Sequence, residues 1–353
     1  MYLKKQLSLT EAITTAMNSN PSMFATDDPD NNVRYIGKDP NNYIYFNCSD
    51  YNNQSDTTCE KWRIIGAFNN VTKSDGSKEN LVKIIRDEGI EVEVGKKPGG
   101  IAWDSSDSSV NNGYGVNDWT DADAMKLLNP GYDSESVGGS LYYNAKSGTC
   151  YGHGKNNTTS CDFTSTGLKN DTTRNAIEEV VWNLGGADDS HYSIPTSAAS
   201  EFYAAERGTT VYTGRPTTWT GKVGLMYPSD YGYATAGGST TNRSTCLSTV
   251  LFDWNSSSDC YHNDYLFNGS YLWTLTPYSA DASSVYYVYA GSPSFIGNVR
   301  LQDAVDALTV MRPALFLKSS IKVKSGTGES SNPYQLLYGH LYDPIHQMGL
   351  EED

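Results

Sequence analysis

The chain has 353 residues, enough for one large domain or two small ones with a core that needs neither metal nor disulfide merely to fold. Its formal net charge of −15, with a pI near 4.7, repels a phosphate backbone and excludes nucleic acid as a partner class. No run reaches the ~20 apolar residues of a membrane helix, and no leader with an apolar centre is present. An exported form is therefore expected to have lost a leader or anchoring segment from its N-terminus.

In chain order, a helix is expected over 7–17, with Thr10 as N-cap and Glu11 in its first turn. It reads equally as the stump of a stalk and as a helix packed on the domain. A polar linker over 20–32 completes an N-terminal unit of 1–32. Strands follow at 33–36, 43–47, 62–68 and 81–86, with turn chemistry at Asp39-Pro40 and Asp75-Gly76, which predicts an antiparallel entry sheet. A short helix over 121–128 ends at Asn129-Pro130-Gly131. Asn170 or Asp171 caps a predicted helix running to about Trp182, with Ile177, Val180, Val181 and Leu184 on one face. A strand at 223–226, a turn at Ser229 or Asp230 and a helix over 244–254 precede the closing strands at 272–276, 285–290 and 314–317. The main domain is placed at 33–323 and a tail without readable pattern at 324–353. Helices in the middle and strands at both ends, without alternation, predict an α+β fold with a mixed or antiparallel sheet, short helices and long loops.

Six cysteines fall into three close pairs, Cys48 with Cys59, Cys150 with Cys161 and Cys246 with Cys260. Each pair brackets a loop rich in Asn, Ser, Thr, Asp and Gly, where a local disulfide restricts an otherwise loose insertion. Zinc ligation needs closer thiolate spacing and has no support. Disulfides place the protein in an oxidising setting, outside the cell or at its surface.

The candidate chemistry is sparse. His153, His191, His262, His340 and His346 stand in no metal-ligand spacing. Glu178 and Glu179 are neighbours in a predicted helix and so diverge, whereas a glycosidase pair must converge on one bond. Calcium ligation by Asp27, Asp28 and Asp30, or by Asp104 and Asp107, follows no EF-hand pattern, so a structural calcium stays unplaced and no cofactor is expected. The 26 tyrosines, with abundant Ser, Gly and Asn, form the mixture that recognition loops use. Any β-rich secreted protein shares that mixture.

Several segments in fixed order carry a resemblance: K-W-R-I-I-G at 61–66, V-K-I-I-R-D at 82–87, D-W-T-D-A-D-A-M-K-L-L-N at 118–129, G-L-M-Y-P-S-D-Y at 224–231, W-T-L-T-P at 273–277 and V-M-R-P-A-L-F-L-K at 310–318. Together they resemble the bacterial C-type lectin-like fold, in the branch of the formylglycine-generating-enzyme-like proteins and the Fibrobacter major paralogous domain. The resemblance implies a looped-back domain whose first and last strands share a sheet, with a binding loop before the last strand. The family's Gly ahead of Val-Arg-Pro is absent here, and Met311 is inserted. The formylglycine-generating relatives use a cysteine pair late in the domain. This chain has no cysteine after Cys260, so that activity does not carry over.

Residues 274–310 contain no Lys, Glu, Met or Trp, and Gln302 is their single Gln. These are the five types that an N-N-Y codon cannot encode. The exclusion resembles that of variable proteins diversified by retroelements, although Tyr-rich strands also avoid Lys and Glu. The reading that follows is a non-enzymatic extracellular receptor or adhesin, binding a protein or glycan, with an expected hypervariable surface at about 278–308. The candidate ligand-binding residues are Tyr278, Asp281, Tyr286, Tyr287, Tyr289, Ser292, Phe295, Asn298, Arg300, Leu301 and Asp303. On the strand, whichever of Tyr286 or Tyr287 and Tyr289 points inward is core instead. A carbohydrate-active enzyme on the same scaffold, and a pilin-like structural subunit, are the alternatives.

Overall fold

The computed structural model describes residues 6–90, 92–94, 97–106, 113–152, 154–188, 197–255, 258–292, 294–306 and 309–338. His153, His191, His340, His346 and Asp107 lie outside the described residues.

The main sheet is antiparallel and runs Phe24–Ala25, Val33–Tyr35, Glu60–Thr72, Lys78–Arg86, Ala314–Leu317, Ile177–Glu178. Tyr43–Phe46 pairs with Glu60–Thr72, and Val223–Gly224 pairs with Ala314–Leu317. The last of its strands in the sequence therefore lies beside the early hairpin, with Leu315 opposite both Ile84 and Val223. Residues on both faces of these strands are buried, and that is why they read as apolar runs rather than alternating ones. Gly66, at the end of the K-W-R-I-I-G segment, permits a close approach of two strands: a Cβ there would stand 2.3 Å from the Val33 carbonyl oxygen. A separate three-stranded antiparallel sheet, Leu272–Pro277, Ser284–Val288 and Val299–Asp303, is set into the body through α-helical and loop packing. The architecture is α+β, mostly antiparallel, with few and short helices.

Three local expectations are corrected. The first helix spans Leu9–Ser19 and is capped by Ser8, not Thr10; the Ser8 and Glu11 side chains form a reciprocal capping box. Its buried Leu9 and Ile13 pack on the body, where Leu9 N–H donates to the Ile321 carbonyl at 3.1 Å. The helix expected from 170 to 182 covers only Asp171–Ala176; strands Ile177–Glu178 and Val180–Asn183 follow, so Glu178 and Glu179 are not helical neighbours. The helix expected at 244–254 is Arg243–Ser248 followed by a single 3-10 turn, Leu251–Asp253.

Neither the expected linker nor the described part of the expected tail, 324–338, hangs free. Asp28 is buried against Arg34, while Tyr334, Leu336 and Tyr338 are buried in the body and Lys322–Ser325 pairs with Gln335–Leu337. All three cysteine pairs are disulfides: Cys48–Cys59, Cys150–Cys161 and Cys246–Cys260. They fit a protein that matures in an oxidising, extracellular setting. No helix among the described residues is long and apolar enough to cross a membrane.

A buried ion network joins three parts of the chain. Arg34 Nε donates to Asp28 Oδ2 at 2.5 Å and its Nη1 to Asp230 Oδ1 at 2.9 Å, and Lys83 Nζ donates to Asp230 Oδ2 at 2.6 Å. Burial by itself would raise the Asp230 pKa; Lys83 and Arg34 together hold it well below the usual carboxylate range.

Candidate functional site

The three-stranded sheet orders its residues by register. Tyr287 lies opposite Trp273 on one side and Arg300 on the other, and Tyr286 lies opposite Leu301. By alternation, one face carries Trp273, Tyr287 and Arg300, with Tyr271 and Tyr289 at its end; the other carries Tyr286, Leu301 and Asp303.

The expectation that one face of Ser284–Val288 is open is corrected, because all five of its residues are buried. Tyr286 is 0% exposed and meets the Phe202 ring edge-on at 4.9 Å, while Tyr287 packs against Trp273 at 6.2 Å. Trp273 Nε1 donates to the Ile101 carbonyl at 3.0 Å, so the 101–103 segment covers that half of the face. Burial raises the Tyr287 pKa far above the ordinary tyrosine value. Tyr278 and Asn298 are also buried. Asn298 donates from Nδ2 to the Phe252 carbonyl at 3.0 Å and accepts from Arg300 Nε at 3.1 Å, which makes it a positioning residue for Arg300. Asp281 Oδ1 accepts the backbone N–H groups of Ser283 and Ser284 at 2.9 and 2.7 Å, and its other oxygen accepts the Ser284 hydroxyl at 2.6 Å. It shapes the turn rather than facing a partner.

The open part is the outer strand, Val299–Asp303, and the loop before it. Arg300, Leu301, Gln302 and Asp303 are half-buried, whereas Ser292 and Phe295 are exposed, Phe295 at 42%. The loop closes tightly: Tyr289 N–H donates to the Asn298 carbonyl and Gly297 N–H to the Tyr289 carbonyl, both at 2.8 Å. Gly297 has φ +81°, and a Cβ there would press on the Tyr261 ring at 2.6 Å, so this corner needs glycine. The guanidinium of Arg300 then rests among three rings, 4.4 Å from Phe295, 4.5 Å from Tyr289 and 5.2 Å from Phe252. Tyr271 extends the group, edge-on to Tyr289 at 5.3 Å. At the far end Asp303 has a raised pKa, from burial first and from Asp281 and Asp306 second. Tyr114, 50% exposed, adjoins that end through its carbonyl, which accepts the Val305 N–H at 3.2 Å.

Of the expected residues, Tyr289, Ser292, Phe295, Arg300, Leu301 and Asp303 thus share this edge, and Tyr278, Asp281, Tyr286, Tyr287 and Asn298 hold it in place. Phe252, Tyr271 and Tyr114 join it from outside the 278–308 segment; the overall excess of tyrosine hinted at the two tyrosines, and nothing pointed to Phe252. Chemically the edge offers ring faces, one guanidinium and an acidic end. No group of three or more His, Cys, Asp or Glu among the described residues is placed to hold a metal. The carboxylates considered for calcium have protein partners: Asp27 binds Arg243, Asp28 binds Arg34, Asp30 accepts from Tyr203, and Asp104 accepts from Ser106 and the Val116 N–H. No protein-family model matches the chain, and comparison with curated proteins and with solved structures gave no significant match.

Proposed function

We propose that this is an extracellular binding protein of receptor or adhesin type on a C-type lectin-like scaffold. Its ligand surface is the open edge formed by the 289–298 loop and the strand Val299–Asp303. One observation carries the reading: a half-buried Arg300 held among Phe252, Tyr289 and Phe295, on a segment from which Lys, Glu, Met and Trp are missing. Aromatic and arginine anchors supply most of the energy of protein interfaces. Loops on a rigid sheet vary without disturbing the fold beneath them. The return of Ala314–Leu317 to the side of the early hairpin supports the looped-back scaffold. The ligand is a protein or glycan, and the segment 274–310 is the part diversified by a retroelement.

Sequencing of gene copies from one bacterial population, with their neighbouring DNA, tests this. Differences should concentrate at Ser292, Phe295, Arg300, Leu301 and Asp303 and be drawn from types that N-N-Y codons encode, with Trp273 and Tyr286 constant. A reverse transcriptase and a near-copy of the segment should lie nearby. Differences spread evenly along the chain overturn the variable-receptor reading.

A further inference from the structure

The main sheet carries a pocket of about 150 Å³, and none of its lining residues belongs to the three-stranded sheet or its loops. It is built around one ring. The Lys83 ammonium lies 4.4 Å from the Tyr227 ring and 5.2 Å from Trp182, and the Arg207 guanidinium lies 6.0 Å from the same Tyr227 ring while stacking on Tyr203 at 3.3 Å. Two cations from distant parts of the chain therefore stand within 6.0 Å of a single tyrosine ring and line a single cavity.

Neither cation is saturated. Lys83 uses one of its three N–H groups, toward Asp230, and Asp230 is shared with Arg34. Arg207 donates from Nη1 to the Tyr203 carbonyl at 3.2 Å and to Glu206 at 3.3 Å, and its Nε stands 3.7 Å from Asp30, a carboxylate already accepting from the Tyr203 hydroxyl. Among the described residues the Nη2 group of Arg207 has no partner. Three of the polar groups around them are already engaged: Trp182 Nε1 donates to the Gly221 carbonyl, the Tyr227 hydroxyl bonds the Asn183 backbone, and the Asn32 amide bonds Asp28 and Tyr203. The hydrogen-bonding capacity left on the two charged side chains is donor capacity, set against aromatic walls. Paired N–H donors on two cations match a carboxylate, and flat rings match a compact body attached to it.

We propose that this pocket binds a small carboxylate, its oxygens received by Lys83 and Arg207 and its carbon skeleton lying against Tyr227 and Trp182. An acidic sugar and the carboxylate of an amino acid or peptide end share this chemistry. The proposal is independent of the edge-strand reading, since the two sites have no residue in common.

Calorimetric titration of the full chain with galacturonate, galactose and N-acetylalanine separates these sources and tests the site. At least one of the two acids should bind saturably and raise the thermal midpoint, and galactose should do neither. Whichever acid binds more tightly names the source. Arg207→Gln, at a half-exposed helix end, should weaken the binding by about tenfold, the size of one charge-assisted hydrogen bond. The proposal is overturned if neither acid binds the folded protein at ~10 mM, which would mean an affinity weaker than about −3 kcal/mol. It is equally overturned if galactose binds as well as galacturonate, a comparison that needs no variant, or if a folded Arg207→Gln protein binds unchanged.

Discussion

Two arginines mark two regions of the molecule. Arg34, in the main sheet, has a side chain 2% exposed, held by Asp28 and Asp230 with its guanidinium 4.7 Å from the Phe68 ring. Arg300, on the outer strand of the small sheet, is half-buried among rings and, among the described residues, makes one hydrogen bond, to a neutral amide. The difference is one of obligation. A buried charge must keep its partners, because losing one leaves the other uncompensated in a medium that cannot solvate it. A charge at the rim keeps water as an alternative, so its surroundings are free to change. The same residue type thus fixes the fold in one place and leaves it adaptable in the other.

The largest effect expected from that contrast is at Asp230. Asp230→Ala strips both Arg34 and Lys83 of a carboxylate and should destabilise the fold by about 3–5 kcal/mol, read by denaturant unfolding. Arg300→Ala should cost no more than about 0.5 kcal/mol. Equal losses would erase the distinction between the regions. Next come Leu315→Ala, between Ile84 and Val223, and Trp273→Ala, each expected to cost about 2–5 kcal/mol through the cavity left behind.

The pH dependence sharpens the comparison from another side. Glu206 and Asp264 are fully buried, and burial raises each carboxyl to about 7, above the 4.5 and 3.8 of the free groups. A carboxyl raised in the folded state binds its proton more tightly there than in the unfolded chain. Its contribution is complete below pH ~4 and is lost as pH rises toward 7. Stability should therefore fall across that window, by on the order of 1–3 kcal/mol per group. Glu206→Gln should flatten the slope if unfolding is followed from pH 5 to 8. Asp230, held low by its cations, works in the opposite direction only in strong acid, so an unchanged slope in that variant would remove Glu206 from the account.

The residues that build the scaffold were legible to an uneven degree. The strand 314–317 was marked by its apolar run, and the three disulfides by their spacing. Lys83 and Asp230 stand inside V-K-I-I-R-D and G-L-M-Y-P-S-D-Y, yet a contact across 147 positions leaves no local pattern. The false helix at 177–182 arose because Ile177, Val180, Val181 and Leu184 satisfy a 3.6-residue spacing. Over so short a run, pairing of Val180–Asn183 with Thr218–Gly221 decides the matter instead. At the candidate site the segment was visible and the facing was not. Alternation assumes one covered face, and here Phe202 covers one side of Ser284–Val288 while the 101–103 segment helps cover the other. Phe252, Tyr271 and Tyr114 reach the edge from elsewhere in the chain, which no window over 278–308 could reveal.

The smallest effects belong to the open edge itself. Asp281→Ala should cost about 1 kcal/mol, the size of a lost cap, because two N–H groups and a hydroxyl lose their acceptor. Ser292, Phe295, Arg300, Leu301 and Asp303 have no such duty to the turn. Exchanging each of them should change stability by no more than about 0.5 kcal/mol, and replacing all five together should leave the thermal midpoint within a few degrees of the parent. Asp303 provides the internal check. Its carboxyl is raised by burial and by Asp281 and Asp306, so Asp303→Asn relieves a repulsion and should be neutral or slightly stabilising at pH 7. A five-fold exchange that costs as much as Leu315→Ala would mean that this edge is core. The surface available for binding would then have to lie elsewhere on the molecule.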